Sequence, residues 1–174
     1  MATIETQLED ALQPEKVVED KLVIFAWSGE LDKVWPTLIL ATTAAAMGSQ
    51  VTVFFTFWGL FPLVKNDVRV TGDNWMQRML SVMNRGGTDH LRLSKMNFAG
   101  AGPAMMGKLA RDHNVASPQE LLEIAVEMGV KLIPCQMTMD LLGLENEDLV
   151  EGLEAPAGAT SALLEARGAT TLFI

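Results

Sequence analysis

The chain has 174 residues, 49% of them apolar, and a formal net charge of −9 with a pI near 4.6. That length encloses one good hydrophobic core and is short for two domains, and the acidic balance leaves no basic surface to neutralise phosphates, so nucleic acid is excluded as the main partner. A single cysteine cannot close an internal disulfide, and an unpaired thiol sits more easily in a reducing compartment, which makes the cytoplasm the expected location.

Residues 1–20 read as a polar, acidic lead-in without the basic flank and apolar run of a signal peptide, and residues 21–174 as the folded α/β domain. Lys21 to Trp27 is a nearly continuous apolar run rich in β-formers, the pattern of a strand covered on both faces, and it ends at Ser28-Gly29. Leu31 to Met47 suits a helix stopped by Gly48, with Pro36 expected in or near its first turn. Val51 to Phe57 repeats the buried-strand pattern, completing a strand–helix–strand unit. The uncharged stretch Val51 to Val64 is broken by Gly59 and Pro62 and gives no clean membrane span, although its aromatic residues leave docking on a membrane or a neighbouring subunit open.

Further along, Gly72-Asp73-Asn74 predicts the cap of a helix from Trp75 to about Asn84, and Lys95 to Pro103 reads as a glycine-rich surface loop. A short helix is expected from Met105 to His113, and another from Ser117, as N-cap with Pro118 at N1, to Met128. Lys131 to Pro134 is a short strand with Cys135 at its carboxyl end, and Gln136 to Leu142 has helical spacing before Gly143. An alanine-rich helix from about Ala159 to Arg167 and a strand from Thr170 to Ile174 close the chain. This alternation predicts an α/β fold, an open and mostly parallel sheet with helices on both faces, in which chemistry gathers at the carboxyl ends of strands.

Three such ends stand out: Trp27-Ser28-Gly29, Phe57-Trp58-Gly59 and Pro134-Cys135-Gln136. A thiol between a strand end and a helix start can receive unpaired backbone N–H groups and the positive end of the helix dipole, both of which stabilise a thiolate. The competing reading of a lone cysteine is a small buried hydrophobe. His90 and His113 show no spacing that makes either the partner of a cysteine hydrolase, and they read as loop and helix-end residues. One cysteine and two separated histidines give no metal-ligand spacing, and Ser28-Gly29-Glu30 lacks the three-glycine dinucleotide fingerprint, so no metal or cofactor is expected. Met76, Met79 and Met83, and Met105, Met106 and Leu109, lie at helical spacing and read as core or subunit-contact residues. Trp27 and Trp58 are either core aromatics or an apolar wall that keeps water from a reactive sulfur.

The segments KMNFAGAGPAMM (95–106) and EMGVKLIPCQMTMDLLG (127–143), together with WSGELDK (27–33) and the terminal TLFI, resemble the DsrE/DsrF-like family, also labelled DsrE/DsrF/DrsH-like or "peroxiredoxin family", across 21–174. The resemblance implies a compact DsrE-like fold, homo-oligomers (trimers or higher), and a cysteine that carries sulfane sulfur as a persulfide in cytoplasmic relays with TusA-like carriers or rhodaneses. By position that cysteine is Cys135. Around it the resemblance implies supporting roles for the Gln136, Met137 and Thr138 amides, for the Thr138 hydroxyl, and for a rim of Trp27, Ser28, Gly29, Trp58, Gly59, Asn97, Gly100 and Gly102. A sulfurtransferase and a passive carrier both fit. A peroxidase fits less well, because no arginine lies near Cys135 in sequence. The other alternative is a non-catalytic assembly subunit in which Cys135 is inert.

Overall fold

A computed structural model describes residues 20–68 and 85–174 of the chain. The predicted helix at 75–84, with Met76, Met79 and Met83, and the lead-in up to residue 19 lie outside the described residues.

The apolar runs become the strands β1 (Lys21–Ala26), β2 (Gln50–Phe55), β3 (Lys131–Pro134) and β4 (Thr170–Phe173). They form one sheet of order β3-β2-β1-β4 in which all three pairings are parallel. Because successive residues of a strand point to opposite faces, each strand supplies two cores. Ile24, Val53, Phe55 and Leu132 face the main core, closed by α1 (Leu31–Ala46) and α3 (Pro118–Glu127), whose contributions include Val34, Leu38, Ala41, Leu122 and Ala125. Phe54 and Ile133 face the other way, with Cys135, onto Ala162 of α5 (Ala159–Glu165). Helices thus cover both faces, unequally: β4 leaves Phe173 73% exposed on the thinly covered side.

Local chemistry explains the element ends. The Ser117 hydroxyl accepts the Glu120 amide at 3.3 Å while the Glu120 carboxylate accepts the Ser117 amide at 2.7 Å, a reciprocal capping box that starts α3, with Pro118 at its first position. α1 starts at Leu31, so Pro36 lies in its second turn and not its first. Lacking an N–H, Pro36 cannot bond the Asp32 carbonyl, and in the same turn the Thr37 hydroxyl donates to the Lys33 carbonyl at 2.8 Å. α2 (Ala101–Asp112) starts four residues before the helix expected from Met105, because Gly102 and Pro103 occupy its first turn, where a missing N–H costs nothing. Met105, Met106 and Leu109 of α2 are exposed and form no part of the core.

The aromatic stretch after β2 divides. Phe54, Phe55 and Phe61 are buried, whereas Phe57 is 46% exposed at the start of a 3-10 turn spanning Phe57–Leu63. Among the described residues no helix is long and apolar enough to cross a membrane.

Candidate functional site

The thiol stands where β3 hands the chain to α4 (Gln136–Leu142), with Cys135 as the N-cap in extended backbone (φ −77°, ψ 114°). Its amide donates to the Phe55 carbonyl at 2.9 Å, carrying the β2–β3 ladder one residue further. Its carbonyl accepts the Met139 and Thr138 amides at 3.0 and 3.1 Å, the first bonds of α4. On the opposite edge the segment before α5 pairs with it: the Gln136 amide donates to Ala157 and the Ala157 amide to Pro134, each at 3.0 Å. With the backbone tied to three segments the side chain has one direction to take, onto Phe54, Ile133 and Ala162, and Cys135 is only 6% exposed.

Burial pushes the thiol pKa up, since an apolar surrounding penalises the thiolate. Four neutral donors outweigh it: the Thr138 hydroxyl and amide, the Thr56 hydroxyl and the Met137 amide together hold Cys135 below the ordinary thiol value. The neutral thiol closes no capping hydrogen bond, so these donors favour the charged form. They are amides of the first turn of α4, that of Thr138 shared with the Cys135 carbonyl, plus one hydroxyl from the helix itself and one from the residue that follows β2.

Thr138 is itself positioned. The Phe57 amide donates to its Oγ1 at 3.0 Å, and Thr56 Oγ1 lies 3.4 Å away. Since one Thr138 lone pair is taken by Phe57, its proton is left for the sulfur or for Thr56. Phe57 reaches this position with φ +52°, a left-handed conformation that costs a bulky residue roughly 1–3 kcal/mol. The strain aims an amide out of the β2 ladder and at the thiol's partner. Phe57 is named in the sequence as part of a strand end and not as a neighbour of the thiol, and Thr56 is not singled out there. Thr56, the first polar residue after an apolar strand, was a usable signal, whereas the sign of φ at Phe57 leaves no trace in composition.

Of the expected supporting amides, those of Met137 and Thr138 act on the Cys135 thiol, whereas the Gln136 amide is taken by the Ala157 carbonyl. Thr138 is buried, Met137 is 75% exposed, and the Gln136 side chain turns away to donate to Asp140 at 2.7 Å. Trp27, Ser28, Gly29, Trp58 and Gly59 assemble with one another at the neighbouring strand ends. The Gly59 amide donates to the Trp27 and Thr56 carbonyls, each at 3.0 Å. A Cβ on Gly59 would strike the Ala26 carbonyl, and one on Gly29 the Trp58 carbonyl, so the two loops meet backbone to backbone. Trp27, Ser28, Gly29 and Trp58 line a cavity of about 270 Å³ with Arg85, His90 and Arg92, and Cys135 is not among its walls. Asn97 and Gly100 line an adjoining groove of about 1040 Å³, and Gly102 packs against the Met96 carbonyl. Among the described residues no three His, Cys, Asp or Glu side chains gather in a metal-binding group.

The chain matches the model of the DsrE/DsrF/DrsH-like family over residues 18–173. It is similar to the uncharacterized protein YrkE of Bacillus subtilis, 41% identical over 155 residues, covering 88% of this chain and 96% of that protein. It is also similar to the sulfur carrier protein DsrE2 of Allochromatium vinosum, 38% identical over 148 residues, covering 81% and 89% respectively. Among solved structures it shares its fold with MTH1491, a protein of unknown function from Methanobacterium thermoautotrophicum, at a TM-score of 0.50 and 12% identity, covering 89% of this chain and 99% of that one.

Proposed function

The chain belongs to the DsrE/DsrF/DrsH-like family, and from that premise we propose that it is a sulfur carrier that holds sulfane sulfur as a persulfide on Cys135. The observation that carries the proposal is the place of Cys135, a buried thiol at the start of α4 beside the Met137 and Thr138 amides and the Thr138 and Thr56 hydroxyls, which hold its pKa below the ordinary value. The name of the Allochromatium relative as a sulfur carrier supports the same reading.

In the loading step the Cys135 thiolate attacks the outer sulfur of a donor persulfide, R–S–SH. A new S–S bond forms, the donor S–S bond breaks, and R–S⁻ leaves with the electron pair, giving Cys135–S–SH with no net oxidation or reduction. In the unloading step an acceptor thiolate attacks that outer sulfur and Cys135 departs as the thiolate. The donors that stabilise the thiolate therefore serve it twice, as resting nucleophile and as leaving group. The chain has one cysteine, so it supplies no resolving thiol and release depends on a second molecule. TusA-like carriers or rhodaneses, in a cytoplasmic relay, are the proposed donors and acceptors, with this chain working as a trimer or larger homo-oligomer.

The 6% exposure of Cys135 favours one competing reading, an assembly subunit whose cysteine is inert. Intact-mass spectrometry of the reduced protein after incubation with polysulfide separates the two. Additions of whole sulfur atoms on the wild type and none on Cys135→Ser support the carrier; an unmodified wild type supports the inert subunit.

A further inference from the structure

We propose that the cavity at the carboxyl end of β1 is a binding site for a small anion, of the oxoanion or carboxylate class, held by Arg85, Arg92 and His90. Its position favours a ligand. The strand order β3-β2-β1-β4 runs from β1 to one side through β2 and β3 and then returns to its other side for β4. β1 is therefore where the winding reverses, and open parallel sheets bind ligands in the crevice at that place.

The walls are chemically one-sided. The net charge of the chain is −9, yet two arginines and a histidine line one cavity of about 270 Å³. Among the described residues neither Arg85 nor Arg92 has a salt bridge; the two that occur there are Lys33–Glu30 and Lys131–Glu165. The one carboxylate on the cavity wall, Glu30, is thus engaged by Lys33 at 3.1 Å. Among the described residues His90 Nδ1 is buried without a hydrogen-bond partner, an exceptional state for a ring nitrogen and one that a ligand oxygen would relieve. Arginine presents a planar fork matched to carboxylate and oxoanion edges, and Trp27 and Trp58 add an apolar wall for an organic body. The adjoining groove shares Arg85, His90 and Arg92 and adds Arg111, but Asp89 and Glu120 also line it, so its charge is mixed and the arginine pair is concentrated at the smaller cavity.

This site is independent of the sulfur-carrier reading, because Cys135 is not among its walls. Calorimetric titration of the whole chain tests it with two probes, inorganic phosphate and phenyl phosphate, in wild type and in the Arg92→Gln, Arg85→Gln, Arg167→Gln and Cys135→Ser variants. Saturable binding of at least one probe is expected, weakened roughly tenfold or more in Arg92→Gln and Arg85→Gln and unchanged in Arg167→Gln and Cys135→Ser. Tighter binding of phenyl phosphate assigns the site to an organic anion, and equal binding to a free oxoanion. Absence of binding by both probes overturns the proposal, as does a loss in Arg167→Gln equal to that in Arg92→Gln, which would reduce the effect to net charge.

Discussion

The carboxyl ends of β3 and β1 lie in one sheet with only β2 between them, yet they are furnished for negative charge in opposite ways. At β3 any negative charge would sit on the protein's own buried sulfur, where amides and hydroxyls and not a cation favour it. At β1 two arginines, Arg85 and Arg92, line a cavity whose one carboxylate, Glu30, is engaged by Lys33. The difference has a physical reason. Burying a cation beside Cys135 would add its own desolvation cost, whereas the amides at a helix start are already present and gain from the pairing. Arginines at a rim keep their hydration until a ligand arrives. The Thr56–Gly59 strap serves both ends, with Phe57 facing Thr138 and Trp58 facing the cavity.

The sharpest way to break this contrast is Thr138→Val. It removes the main hydroxyl donor to the thiolate and leaves the Phe57 amide without its acceptor, so denaturant unfolding should show a loss of about 1–3 kcal/mol. If the thiol pKa rises by about one unit, the thiolate fraction at neutral pH falls about tenfold, and the greater nucleophilicity of the more basic sulfur restores about threefold, for a net slowing of roughly threefold in alkylation by iodoacetamide. Thr138→Ser keeps the hydroxyl and should restore most of the rate.

Gly59→Ala tests whether the strap joins the two ends. Its Cβ would meet the Ala26 carbonyl, and the forced shift should cost about 1–3 kcal/mol in denaturant unfolding, as overpacking does elsewhere. A smaller effect concerns pH. Because the folded thiol pKa lies below that of the unfolded chain, the unfolded state binds more protons between the two values, so stability rises as pH climbs through the folded pKa and levels off above the unfolded one. Chemical denaturation across that window should show the increment in wild type and not in Cys135→Ala. The smallest expected effect is a null one: Arg92→Gln should leave the alkylation rate of Cys135 within about twofold of wild type, since no charge of the cavity enters the balance at the thiol. A larger change would mean that the two ends are electrically one site.

Most of the frame was legible in the residues. Short apolar runs placed β1, β2 and β3, and Pro134-Cys135 followed by helical spacing put the thiol at a strand–helix junction, as the structure does. The start of α2 was hidden because Gly102 and Pro103 are loop residues everywhere except in a helix's first turn. The grouping of the expected rim could not be read, because it depends on strand order. Trp27 and Trp58 are strand-end residues as expected, but with β1 and β3 separated by β2 they line a cavity with Arg85, His90 and Arg92. Those three are unremarkable in sequence and become a group only when the chain after residue 84 folds back over the end of β1.

The donors around Cys135 hold its thiol pKa below the ordinary value despite burial, and with one cysteine in the chain its reactivity can be read without interference. The most direct test is the pH dependence of Cys135 alkylation in the folded protein, set beside the same chain unfolded in urea. A folded midpoint below the unfolded one is the predicted result; a folded midpoint at or above it would contradict the account, because burial would then have won over Thr138, Thr56 and Met137.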